Sequence, residues 1–170
     1  MSFSKTSNEF ERKNSAVADP ALVVDANILL RAILGRRVAG LIERYAPEIG
    51  LFAPDVAFFD VEEHIGALAR KRGLSLTKAE VSYEALCGLI QELPAPAYKD
   101  FEAAARARIE KVDPDDWPVI ASALALNCGI WTEDRDFFGI GIPTWTTERI
   151  DLFFSDIGKP ALEVKPPEST

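Results

Sequence analysis

Ala21-Leu22-Val23-Val24-Asp25-Ala26-Asn27-Ile28-Leu29-Leu30 is the stretch from which the rest of the chain is best read. A short apolar run stops at a carboxylate, and an apolar stretch with helical character starts about two residues later. Leu22-Val23-Val24 has no polar alternation, as expected of a strand buried on both faces of a parallel sheet. Asp25 then emerges at the carboxyl edge of that sheet, where α/β folds collect their ligands.

The same punctuation recurs downstream. Ile28 to Leu34 and Val38 to Tyr45 read as helices separated at Gly35. Gly50-Leu-Phe-Ala reads as a second strand, stopped by Pro54. Phe58, Val61, Ile65 and Leu68 recur at helical spacing in a long amphipathic helix from Asp55 to Arg72, ended by Gly73. Thr77 to Leu93 is a further helix, with Thr77 and Glu80 as a capping box. Pro94-Ala-Pro-Ala leads into a short strand, and Phe101 to Lys111 is helical. Val119 to Asn127 is a helix closed by Cys128-Gly129. Ile130-Trp-Thr and Pro143-Thr-Trp-Thr read as strands, and Thr147 to Phe154 as a closing helix. Strands separated by helices predict an α/β fold, a three-layer α/β/α sandwich around a central, mainly parallel, twisted sheet. One domain is expected over 20–157, between polar tails at 1–19 and 158–170.

Composition bounds the function. Of 170 residues, 48% are hydrophobic and 27% charged, the profile of a soluble domain with a sizeable core. A net charge of -8 argues against a broad nucleic-acid-binding face, so any such surface must be local. Cys87 and Cys128 lie in apolar segments with no metal-ligand spacing and read as buried free thiols. The N-terminus lacks the pattern of a signal peptide, and no apolar run reaches the roughly 18–20 residues that cross a bilayer. A cytoplasmic protein with no membrane partner is expected.

The carboxylates carry the functional signal. Asp25 has a bland alternative as the N-cap of the following helix. Asn27, two residues on, is placed to orient a carboxylate. Asp113, Asp115 and Asp116 crowd the start of a helix whose first turn holds Pro118, and Pro118 disfavours the helical region at Trp117. Capping needs one carboxylate, so the surplus points to a cation. Asp134 and Asp136 lie in Thr132-Glu-Asp-Arg-Asp-Phe, which also reads as an Asx-bonded turn, with Thr132 able to hydrogen-bond a ligating carboxylate. Asp60, Glu63 and His64 share one face of the long helix. His64 alone reads as a surface residue. If the strand ends converge, the result is an all-oxygen pocket suited to hard divalent cations.

In this order and at these boundaries the motifs resemble those of the PIN domain family, metal-dependent ribonucleases that include the toxins of bacterial toxin–antitoxin pairs. Val23-Val24-Asp25-Ala26-Asn27 resembles the opening motif. Asp116-Trp-Pro-Val-Ile-Ala-Ser-Ala resembles the third acidic motif, and Trp131-Thr132-Glu-Asp134-Arg-Asp136-Phe137 the closing Thr-x-Asp-x-x-Phe segment. The resemblance spans residues 21–154. It departs at the second acidic position, where the family usually has Glu and counting from Pro54 reaches Asp60. Glu63, a turn later, is the other candidate.

The resemblance implies a magnesium- or manganese-dependent endoribonuclease that hydrolyses RNA phosphodiester bonds by a metal-activated water. Asp25, Asp60, Asp116 and Asp134 would be the catalytic metal ligands, supported by Asn27, Glu63, Thr132 and Asp136. It also implies a homodimer and an antitoxin partner protein. Arg31, Arg36 and Arg37, and the Arg70-Lys-Arg72 run, are candidate phosphate contacts or solvated faces. Two other classes stay open. One is a catalytically weak PIN-like scaffold that binds RNA or protein. The other is a receiver-like phosphoacceptor domain, disfavoured because no lysine lies near the strand ends at Thr132 or Trp145.

Overall fold

The computed structural model describes residues 19–109 and 113–157. Five strands form one sheet in the order β3-β2-β1-β4-β5, and every pairing is parallel. They are β1 (Ala21–Val24), β2 (Gly50–Pro54), β3 (Gln91–Leu93), β4 (Gly129–Trp131) and β5 (Thr144–Trp145). Around them lie α1 (Ala26–Leu34), α2 (Arg36–Tyr45), α3 (Asp55–Lys71), α4 (Leu76–Cys87), α5 (Ala95–Tyr98), α6 (Glu102–Arg108), α7 (Trp117–Leu126) and α8 (Ile150–Asp156). The tails expected on either side of the domain lie outside the described residues, apart from Asp19, as does Lys111 at the expected end of α6.

Strand β1 shows why three layers form. Side chains alternate along a strand. Leu22 and Val24 join the core cluster shared with α1 to α4 and α8, while Val23 joins the second cluster with α5 to α7. Both faces of β1 are therefore dry, and all three residues are fully buried. Strand β4 repeats the division, with Trp131 on the first side and Ile130 on the second. It lies so close to the loop before β5 that a Cβ on Gly129 would stand 3.0 Å from the Pro143 carbonyl oxygen.

The topology places the site. The chain moves outward from β1 through β2 to β3, then returns to the other side of β1 for β4 and β5. The order reverses between β1 and β4, and a crevice opens beyond the carboxyl ends of strands at such a switch point. Asp25 follows β1 directly, and Thr132 to Asp134 follow β4. The Asp25 N–H donates to the Trp131 carbonyl at 3.0 Å, so the two strand ends leave the sheet side by side.

Several local expectations change. The β3 segment precedes Pro94 instead of following it, and Pro94 caps α5. Helix α4 starts earlier than the capping box predicts: Ser75 is its N-cap and accepts the Lys78 N–H at 3.4 Å. Trp117 adopts helical angles, φ -54° and ψ -33°, despite Pro118. Its ring packs 5.7 Å from Tyr98 and lies beneath Arg106, tertiary contacts that offset the pre-proline penalty. Cys87 is exposed at the end of α4 and Cys128 is half-buried, so the reading of both as buried thiols is corrected; both are free. Ala79 and Leu86, not Cys87, are the α4 residues that face the core. Helix α8 begins at Ile150, after a turn in which the Arg149 N–H donates to the Thr146 carbonyl.

Candidate active site

Asp25 is the centre of a hydrogen-bonded cluster. It starts α1 without capping it through its side chain. Its Oδ2 instead accepts the Thr132 hydroxyl at 2.7 Å and the Asn27 amide at 2.8 Å. The Thr132 oxygen also accepts Asn27 Nδ2 at 3.2 Å and the Asp134 N–H at 3.0 Å. One donation and two acceptances use the full capacity of a hydroxyl. Asn27 completes the lattice by accepting the Glu133 N–H at 3.3 Å. Asn27 and Thr132, 105 positions apart, thus lock the end of β1 to the end of β4.

Asp134 does what an Asx turn requires, its Oδ1 accepting the Asp136 N–H at 2.9 Å. This turn uses one carboxylate oxygen, so the bland role and a ligand role are compatible. Asp136 itself is exposed. Asp116 ends the short 3-10 turn Pro114–Asp116 before α7, and Asp113, not Asp116, caps that turn through Asp115 N–H at 3.0 Å. The structure thereby separates capping from the surplus carboxylate.

Electrostatics bring these groups together. Burial pushes the Asp25 carboxyl above its ordinary value; hydrogen bonds from Thr132 and the Ala26 backbone oppose this, and the charges of Asp134 and Asp60 add to it. Burial also raises Asp116, reinforced by Asp25, Asp113, Asp134 and Asp136, and carries it up to about 7. Asp60, exposed in the second turn of α3, acts on Asp25. His64 is exposed and its Nδ1 lies 2.7 Å from the Asp60 carbonyl oxygen, a local contact within α3. Among the described residues, no lysine or arginine is ion-paired with Asp25, Asp60, Asp116 or Asp134.

This donor set fits a hard divalent cation in kind: all oxygen, mutually repelling and without a protein counter-charge. Among the described residues, however, no three His, Cys, Asp or Glu side chains are arranged to hold one ion. The two observations bear on different things, chemistry and side-chain placement.

Sequence reasoning missed Glu133 and Thr147. Glu133 Oε1 accepts the Thr147 N–H at 2.8 Å, and the Thr147 hydroxyl accepts the buried Trp131 indole N–H at 3.1 Å. These bonds fasten the segment after β5 to the end of β4. Glu133 stands at a variable position of its motif, and no local pattern marks its partner 14 residues away.

The solved structures that resemble this one share its fold. PAE2754 from Pyrobaculum aerophilum matches with a TM-score of 0.61 at 13% identity, over 84% of this chain and 96% of that one. VapBC2 from Rickettsia felis, bound to a DNA fragment from their promoter, matches with a TM-score of 0.59 at 12% identity, over 74% and 98%. A toxin–antitoxin complex from Klebsiella pneumoniae matches with a TM-score of 0.55 at 18% identity, over 74% and 97%. No curated protein matches the sequence significantly. The family model of the PIN domain matches residues 23–155, from within β1 to the end of the core, and the chain belongs to that family.

Proposed function

We propose that the chain is a magnesium- or manganese-dependent endoribonuclease, the toxin of a toxin–antitoxin pair, with residues 20–157 as its nuclease domain. The observation that carries this reading is the uncompensated cluster of Asp25, Asp60, Asp116 and Asp134 around the β1–β4 switch point. Family membership supports it. Two similar solved structures are complexes whose names join a toxin with an antitoxin or a paired VapBC, which supports a small antitoxin as partner. The same reading carries a homodimer and a cytoplasmic setting.

Asp25, Asp116 and Asp134 would hold the metal, with Asp60 completing the set. Bound there, the ion would supply Lewis acidity at a phosphoryl oxygen and a water acidic enough to attack phosphorus at neutral pH. The chain's own contribution is orientation. Thr132 and Asn27 fix one Asp25 oxygen and leave the other for ligation. Asp136 anchors Asp134 through its backbone N–H, and one carboxylate of the set would take the proton of the attacking water.

The test is cleavage of a mixed RNA pool by the full chain with manganese, magnesium or EDTA, beside Asp25→Asn. Cleavage that needs metal and disappears in the variant is expected; undiminished cleavage by the variant would sink the assignment. One observation favours a second reading, a catalytically weak scaffold: no three ligands stand ready for one ion among the described residues. RNA binding without cleavage under any metal condition is the outcome that selects it.

A further inference from the structure

Two clefts, each of about 730 Å³, open on the carboxyl side of the sheet and meet at Arg31 and at Glu133, the residue before Asp134. The first runs between α1, α2 and α3 and is lined by Arg31, Arg37 and Arg72, ending at Asn27 and Glu133. The second runs along the end of β5 and is lined by Arg31, Arg135 and Arg149. Arg31, Glu133 and Glu148 belong to both, so the clefts form one continuous path.

The charge of this path opposes that of the molecule. The chain carries -8 overall, yet five arginines face two glutamates along the two clefts. One of those glutamates, Glu133, is engaged with the Thr147 N–H. All five arginines are exposed, and among the described residues none is held in an ion pair or a side-chain hydrogen bond. Unpaired guanidinium groups in a groove are suited to forked contacts with phosphate oxygens. The second cleft adds stacking surface: Phe138 is 50% exposed, and half-buried Trp145 lines the same wall. Bases offer a face to such rings only when they are unpaired.

We propose that the two clefts form a single track for the phosphates of single-stranded RNA, with Arg37 and Arg72 along the first cleft and Arg135 and Arg149 along the second. Arg31 lies at the junction. This rests on the ribonuclease reading above, since it supplies the substrate's path to that site. Arg36 and Arg70, which sequence reasoning grouped with these residues, line neither of the two clefts.

The experiment measures binding apart from cleavage. A labelled single-stranded RNA of mixed sequence is titrated by fluorescence anisotropy into the full-length Asp25→Asn variant in EDTA. Five phosphate contacts on a single strand predict an affinity loss of about a hundredfold between roughly 50 and 200 mM salt, from a slope of about -0.7 per contact. Adding Arg37→Ala with Arg72→Ala, or Arg135→Ala with Arg149→Ala, should reduce that loss to about twentyfold. The matching lysine pairs should retain the steep dependence, and circular dichroism checks each fold. An unchanged salt slope in both alanine pairs overturns the track. Duplex RNA or poly-glutamate binding equally well, with the same loss in the variants, overturns the single-strand assignment. If the wild-type protein binds in this manner but cleaves nothing, the track stands and the nuclease reading falls.

Discussion

The Thr132 hydroxyl donates to Asp25 Oδ2 at 2.7 Å while accepting the Asp134 backbone N–H at 3.0 Å, so one fully buried side chain joins two candidate ligands from neighbouring strands. Thr132→Val keeps the shape and removes both functions. It should cost about 1–3 kcal/mol of stability, because a buried carboxylate and a backbone donor lose their partner. It should also weaken manganese binding about 10- to 100-fold. Thermal unfolding and a manganese titration read these effects, and Thr132→Ser should restore both. A valine variant with wild-type metal affinity would show that Thr132 does not position Asp25.

The crowded carboxylates make stability depend on pH in an unusual direction. Asp116 titrates at about 7 in the folded protein, above the ordinary aspartate value of 3.8, and Asp25 is raised too. Between those values the folded state binds more protons than the unfolded one. In EDTA these groups should therefore lower stability as pH rises from about 4 to about 7. The comparison is between wild type and Asp116→Asn by thermal melts across that window. The variant should gain relative to wild type as pH rises, and a constant difference would remove Asp116 from the cluster. Magnesium should raise the melting temperature more at pH 8 than at pH 5, since protons and metal compete for the same oxygens.

Asp60 and Glu63 can be told apart. Asp60 lies close enough for its charge to raise Asp25, and it stands where counting from Pro54 reaches the second acidic position. Asp60→Asn should lower metal-dependent cleavage by at least about tenfold, and Glu63→Gln should leave it within about twofold. The ranking reverses if Glu63 is the ligand, and parallel cleavage assays decide.

Away from the site, the Tyr98 hydroxyl donates to Asp55 Oδ1, and Asp55 Oδ2 accepts the Ala95 N–H at 3.0 Å. Asp55 opens α3 and so straps it to α5. Hydrogen bonds to charged groups contribute about 1.5–3 kcal/mol, so Tyr98→Phe should destabilise by about that amount in urea unfolding. Cleavage by the folded variant should stay unchanged, because Tyr98 is buried in the layer of α5 to α7. Lost cleavage at full stability would contradict that division of labour.

Sequence alone was enough for much of the architecture. The unalternating run at Leu22 to Val24, the helical period from Phe58 to Leu68, and carboxylates at strand ends are local patterns, and local patterns survive in one dimension. They predicted the parallel three-layer sandwich and singled out Asp25, Asn27, Asp116, Thr132 and Asp134. Boundaries fared less well at Ser75, Gln91 and Trp117, where capping geometry and packing outweighed local preference.

Tertiary structure alone decided what meets what. The bond from Asn27 to Thr132, the tie from Thr147 to Glu133, and the clefts that collect arginines from positions 31 to 149 all depend on the return of the chain to the other side of β1. A sequence shows that a carboxylate ends a strand. Which strands become neighbours depends on how the helices bury both faces of the sheet, a property of the whole core that no single motif contains.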